Sequence, residues 1–219
     1  MALALADAGA DVIVHYGTSA ADARDTAAEI ERSGRRAVAV QADIVNSGAI
    51  ARLIADTERA FGRLDIVVNS ASTFQRRPVL DISQAEWDHV LAVNLRGPFL
   101  LSQAAAPLLR KQGGVIVNLV DLSALQAWPS FAHHAVSKAG LLHLTRILAR
   151  ALAPDIRVNS IAPGTVLPAE AYEAEEGGGK RVLRRAGEPA DVVTALLYLI
   201  RADFVTGENL LVDGGRMLL

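Results

Sequence analysis

The chain has 219 residues, 51% of them hydrophobic but only 5% aromatic, and its 22 Lys and Arg against 24 Asp and Glu leave a formal charge of −2. That length suits one large α/β domain with a core of Ala, Val, Leu and Ile, and the near balance of charge offers no pull on nucleic acid or an anionic membrane surface. There is no cysteine, which removes disulfides, thiolate catalysis and thiolate metal sites, and no uninterrupted apolar run reaches the ~18–20 residues of a membrane span.

The first residues, MALALADAGA, read as the body of a helix. They carry no basic segment and are interrupted by Asp7, so they do not read as an export signal, and a soluble cytoplasmic protein is expected. Strand and helix patterns then alternate. Strands are predicted at DVIVHY (11–16), RAVAVQ (36–41), LDIVVN (64–69), GVIVNLV (114–120), DIRVNSIA (155–162) and NLLVD (209–213). Helices are predicted from Ala20 to Ser33, Ser47 to Phe61, Gln84 to Lys111, Ala132 to Ala153 and Pro189 to Arg201. The strands are nearly continuous apolar runs, as strands covered on both faces are. The alternation predicts a Rossmann-like, doubly wound parallel sheet in a single α/β domain. One stretch breaks the pattern: residues 163–187 run from acidic through glycine-rich to basic and read as a substrate flap over about 165–186.

In such a sheet ligands lie outside the carboxyl ends of the strands. That rule selects Tyr16 to Ser19, Asp43, Asn69 to Ser72, Asn118 to Asp121 and Ala162 to Thr165, all small or polar. Each alone reads equally as a turn; together they suggest a nucleotide-sized crevice. In FAHHAVSKAG, His134 and Lys138 are four apart and share a helix face, either as a proton-handling site or as a polar helix start. His133 points elsewhere and is given no role. Asp121 stands either as a strand-end acceptor of backbone N–H groups or as a working carboxyl, and a bond to His134 would make an acid–base dyad. Glu170, Glu173, Glu175 and Glu176 lack partnering histidines and read as solvated charge, so no metal site is expected. EEGGGKR (175–181) lacks the spacing of a phosphate loop. Trp128, Phe131 and Tyr172 suit either a flat heteroaromatic or hydrophobic substrate or ordinary packing.

VVNSAS, the Asn of LAVNLRGPF, VIVNLVD, SKAG, IRVNSIAPG, RRAGEPADV and VTGENLLVDGG stand in the order and spacing of the short-chain dehydrogenase/reductases, which the whole chain resembles. HYGTSAADA and an aspartate at the usual serine position resemble the pteridine-reductase-like branch. The resemblance implies hydride transfer between NADP(H) and a carbonyl or pterin-like small molecule. It implies that Asn94 positions the lysine through water, that Lys138 binds the nicotinamide ribose and lowers the pKa of the neighbouring acid, and that Asp121 takes the serine position. His134 stands where relatives have tyrosine. A tyrosine of pKa ~10 needs the lysine's help near neutrality, whereas histidine titrates near ~6.5 and donates only from its protonated form.

For the cofactor, HYGTS carries no acid, and Thr18 and Ser19 can donate to a 2′-phosphate, so NADP is favoured over NAD. By resemblance Asp43 meets the adenine, Asn69, Ser70 and Ala71 form the adenosine-side turn, and Ile161, Pro163, Gly164 and Thr165 receive the carboxamide. Assembly as a homo-oligomer, tetramer or dimer, through the helices 84–111 and 132–153 is implied in the same way. The departure is at the front, where relatives begin with a strand and a glycine-rich turn that holds pyrophosphate. Its slot would fall between the strands at 11–16 and 64–69, leaving roughly ten ladder groups unpartnered at ~1–3 kcal/mol each when buried. Against a stability of ~5–15 kcal/mol, that leaves three expectations: a start placed too late or a fragment, another segment in the slot, or an inactive remnant. The rival function is accordingly a catalytically weakened fold-mate that binds nucleotide or partner subunits without turnover.

Overall fold

The computed structural model describes residues 1–166 and 181–219. Most of the flap, with Glu170, Tyr172, Glu173, Glu175, Glu176 and all of EEGGGKR but Arg181, lies outside the described residues. The elements run α1 (Ala2–Asp7), β1 (Val12–Tyr16), α2 (Ala20–Arg32), β2 (Ala37–Gln41), α3 (Ser47–Phe61), β3 (Ile66–Asn69), α4 (Gln84–Leu91), α5 (Gly97–Arg110), β4 (Val115–Leu119), α6 (Ala132–Leu152), β5 (Arg157–Pro163), α7 (Pro189–Arg201) and β6 (Asn209–Val212). Every strand pair is parallel. The doubly wound α/β expectation is met.

Local chemistry sets the helix ends. The Asn46 side chain accepts the Ala49 N–H to start α3, and Gly62, at φ 72°, ends it in a left-handed turn open to glycine. Ser83 and Glu86 form a reciprocal capping box on α4. Hydrogen bonds from Arg77 and from Ser83 hold the Glu86 carboxyl down at about 2. The helix expected from 84 to 111 is interrupted by a π-helical turn, Ala92–Arg96, between α4 and α5. Pro98 follows that turn; it has no N–H to give to the Asn94 carbonyl four residues back, and its ring would crowd that oxygen, so the backbone widens by one residue.

Side chains alternate between two helical layers. Ile116 and Val158 join Ala105 and Leu109 of α5 and Leu148 of α6, whereas Val115, Val117 and Ile161 pack on Val192, Leu196 and Leu199 of α7. Around β1 and β2 the cover comes from α1 and α2 on one face, through Ala6, Ala27 and Ile30, and from α3 on the other, through Ala49 and Leu53.

The sheet itself is in two parts, β1–β2 and β3–β4–β5–β6. Val12 N–H donates to Arg36 O and Ala42 N–H to Tyr16 O, so residues 12, 14 and 16 face β2. Strand alternation therefore turns the N–H and C=O of Ile13 and His15 the other way. Val115 N–H donates to Asp65 O, which by the same reasoning turns Ile66 and Val68 away from β4. Both sets of groups point into a cleft of about 970 Å³ lined by β1, β3, Leu5 and, at its upper end, Tyr16, Gly17, Ser70 and Ala71. No described segment fills the slot anticipated from the sequence. Among the described residues, no helix is long and apolar enough to cross a membrane.

Candidate active site

Four segments converge at the carboxyl end of the sheet. Asp121 follows β4, His134 and Lys138 stand on the first turns of α6, Asn94 lies in the π-helical turn, and Ser72 and Thr73 belong to the loop after β3. His134 Nε2 lies 2.7 Å from Asp121 Oδ2. The imidazole is almost fully enclosed, at 2% exposure, while the carboxyl is 24% exposed, so the aspartate is the more accessible half of the pair. The other Asp121 oxygen accepts the Ser123 N–H at 2.8 Å and also the Ser123 hydroxyl. Asp121 thus accepts backbone N–H as the strand-end reading expected, capping a short 3₁₀ turn, Leu122–Ala124, and it also contacts the histidine.

Burial opposes the Asp121 charge, but the hydrogen bond and charge of His134, then Ser123 and Lys138, outweigh it, and its pKa lies below the ordinary carboxyl value. For Lys138 burial dominates and lowers its pKa, with the Asp121 carboxylate pulling the other way. Its Nζ donates to the Leu119 carbonyl at 2.8 Å. A Lys138 ammonium in that pose has two further protons to offer.

Asn94 is fully buried. Its Oδ1 accepts the Thr73 N–H at 2.8 Å and the Ser72 hydroxyl at 3.2 Å, and its Nδ2 donates to Thr73 O at 3.0 Å and Ser137 Oγ at 3.1 Å. The resemblance gave Asn94 a role towards the lysine through water; its amide directly engages the Thr73 peptide and comes within 3.3 Å of His134 Nδ1. His134 Nδ1 also lies 3.1 Å from Thr73 O. Phe74 stands edge-on to His134 at 4.7 Å between centroids and stacks on Phe131 at 4.3 Å, with Trp128 edge-on to Phe131 at 6.2 Å. Sequence reasoning noted Trp128 and Phe131 but passed over Phe74, an aromatic directly after a strand-end turn. Thr73 and Ser137 gave no signal, since one acts through its backbone.

The remaining expected residues divide. Thr18, Ser19, Asp43, Ser70 and Ala71 are exposed at the ends of β1, β2 and β3. Asp43 Oδ1 accepts the Val45 N–H. Asn69 is different: its amide turns inward, donating to Asn118 Oδ1 at 2.8 Å, while Asn118 donates to Thr145 Oγ1. Only the Asn69 backbone is left for the rim. Ile161 is wholly buried against α7, and Thr165 Oγ1 accepts from Arg216 Nη1. Gly164 passes so close to the end of β6 that a Cβ there would stand 2.9 Å from Asp213 Cα. His133, one residue before His134 on the helix, is fully buried, with neither ring nitrogen bonded among the described residues.

These strand ends suit a dinucleotide. The run after β1 holds hydroxyls and no carboxylate, and a Lys138 ammonium carries two protons beyond the one given to Leu119 O. Residues 1–216 match the family described as enoyl-(acyl carrier protein) reductase. The chain is 34% identical over 224 residues to a 3-oxoacyl-[acyl-carrier-protein] reductase of Synechocystis sp., covering 99% of this chain and 91% of that protein. It is 37% identical over 222 residues to 3beta-hydroxysteroid dehydrogenase 1 of Eggerthella lenta, covering 96% and 85%. Among solved structures, a dehydrogenase/reductase from Sinorhizobium meliloti 1021 superposes with a TM-score of 0.92 at 37% identity, covering 98% of this chain and 88% of that one. With its parallel Rossmann-like sheet and these relatives spanning nearly all of it, the chain belongs to the short-chain dehydrogenase/reductases, a family of oxidoreductase enzymes.

Proposed function

We propose that the chain transfers hydride between NADP(H) and a carbonyl or pterin-like small molecule, with the Asp121–His134 pair in place of the family's tyrosine. The observation that carries the reading is the 2.7 Å contact between His134 Nε2 and Asp121 Oδ2, beside Lys138 at the carboxyl end of the sheet. When bound, the nicotinamide supplies hydride. Thr18 and Ser19 would hold a 2′-phosphate, Asp43 the adenine, and Lys138 the nicotinamide ribose. Ser70, Ala71 and the Asn69 backbone would line the adenosine, and Ile161, Pro163, Gly164 and Thr165 the carboxamide. Lys138 and the histidine side of the pair hold positive charge where an alkoxide develops, which favours protonation of that oxygen. Aromatic cover from Phe74 over His134 supports a planar or hydrophobic substrate and keeps water off the imidazole. An aspartate at the serine position supports the pteridine-reductase-like branch. A cytoplasmic homo-oligomer, tetramer or dimer, belongs to the same reading, and sedimentation velocity checks the assembly.

The test is oxidation of NADPH and of NADH against 3-oxoacyl thioesters, steroid ketones, acetoin and dihydropterins. Turnover with NADPH that fades as pH rises supports the histidine as proton source, because the ring donates only when protonated. A rate that stays flat from about pH 6 to 9 removes it from that role. His134→Ala should lower the rate ~10²-fold or more, and His134→Tyr distinguishes a donor from a handicap. One observation favours the rival reading, a fold-mate that binds without turnover: the cleft between β1 and β3 opens beside Ser70 and Ala71. NADPH binding with no turnover on any member of the panel selects it.

A further inference from the structure

We infer that Asn94 and Ser137 are positioning residues that fix which protons His134 holds, so that the proton between His134 Nε2 and Asp121 is the one that moves. The inference extends the proposed proton role of His134, but rests on a count of donors and acceptors. The orientation of the Asn94 amide is settled by the Thr73 backbone: its N–H donates to Oδ1 at 2.8 Å, so Nδ2 is the nitrogen. Nδ2 has two protons. One goes to Thr73 O at 3.0 Å. The other goes to Ser137 Oγ at 3.1 Å, and that hydroxyl gives its own proton to the His134 carbonyl at 2.7 Å. Nothing is left for His134 Nδ1, although Nδ2 is only 3.3 Å away.

The neighbour that Nδ1 can bond is therefore the Thr73 carbonyl, 3.1 Å away, which only accepts. Nδ1 must carry a proton. At the other end of the ring, Nε2 and Asp121 Oδ2 at 2.7 Å would repel as two bare lone pairs, so a proton lies between them. Among the described residues, the groups facing the ring are Asp121 from the turn after β4, Asn94 from the π-helical turn, Thr73 and Phe74 from the loop after β3, and Ser137, Lys138 and His133 on its own helix. Asp121 is the one anion among them.

The reductive step then balances with one proton. A bound reduced nicotinamide would supply hydride to the carbonyl carbon, and the C=O π pair would become an oxygen lone pair. That oxygen forms its O–H bond with the proton of the Nε2–Oδ2 bridge, delivered from the exposed carboxyl. The pair is left as neutral imidazole, protonated on Nδ1, and carboxylate. Had Asn94 donated to Nδ1 instead, the ring at neutrality would keep its proton on Nε2 against the carboxylate, and the bridge would have none to release.

Nitrogen-15 NMR of the histidine rings in the full chain tests this without any turnover. The expected result is a His134 Nδ1 that keeps the shift of a protonated nitrogen from about pH 5 to 9, with Nε2 alone changing. An Nδ1 that becomes unprotonated at the alkaline end overturns the inference, whether or not the protein reduces carbonyls; a dead enzyme with a protonated Nδ1 instead overturns the functional reading alone. Ser137→Ala frees one Asn94 N–H and should convert Nδ1 to an acceptor at high pH, lowering kcat ~10²-fold with KM nearly unchanged. Ser137→Thr, which keeps the hydroxyl, should restore the wild-type spectrum. A Ser137→Ala spectrum identical to the wild type would also overturn the inference.

Discussion

β1 and β4 are almost the same strand written twice, VIVHY and VIVNL, yet one is half-buried at every position and the other buried throughout. The difference lies in the neighbours. β4 has β3 on one side, β5 on the other and helices on both faces, whereas β1 pairs with β2 alone and its second edge faces the cleft. A continuous apolar run announces a strand suited to the middle of a parallel sheet, but the burial is conferred by what lies beside it.

The largest test of this contrast is hydrogen exchange. Amides of β4 and β5 should open only with the whole molecule, at ~5–15 kcal/mol, while those of Ile13 and His15 exchange through small local openings. Protection of β1 equal to that of β4 would break the comparison. Next come paired core truncations. Ile116 is fully buried, and Ile116→Ala should cost ~2–5 kcal/mol in urea denaturation. Ile13→Ala, on a half-buried side chain, should cost clearly less.

The same contrast holds for two glycines. A Cβ on Gly114, at the entry to β4, would stand 2.9 Å from Asp65 O and 2.7 Å from Leu109 Cδ2, so Gly114→Ala should destabilise by ~1–3 kcal/mol. Gly17, past the end of β1, has open space around it, and Gly17→Ala should shift stability by no more than ~0.5 kcal/mol. The smallest effect is read from two histidines. His15 Nε2 donates to Ala42 O at 2.8 Å, while His133 is buried with both nitrogens unbonded among the described residues. Burial, reinforced by the His134 charge, lowers the His133 pKa. The folded state then binds fewer protons than the unfolded one, so stability is full above about pH 6.5 and declines as pH falls from there towards the lower folded value. His133→Leu should raise stability by ~1 kcal/mol, more in acid, and flatten that decline, measured by denaturation at several pH values. His15→Leu should bring no gain.

Much of this was legible in the sequence. The six strands and their parallel pairing follow from apolar runs, and the strand-end rule picks out Asp121 as a rim residue; its contact with His134 was suggested by the family resemblance. What stayed hidden is three-dimensional in kind. Thr73 acts through a carbonyl, which every residue has, so its identity carries no trace of the role. The direct partners of Asn94, the Thr73 peptide and Ser137, were not foreseen, because an amide has two ends and only the fold decides what each meets. Asn69 looked like a rim residue, but a polar side chain between two central strands finds its hydrogen bonds inside, with Asn118. The widened turn at 92–96 was missed because Pro98 lies beyond it and acts backwards on Asn94.

That widened turn makes the rod from Gln84 to Arg110 a phase shifter. Its first part packs on α6 and its second on α3, β3 and β4, and the extra residue sets the angle between those two faces. Removing any one residue from 92–96 would let the ordinary spacing resume and swing one face ~100° away from its partner. Evolution in this stretch should therefore tolerate changed letters far more readily than a changed count.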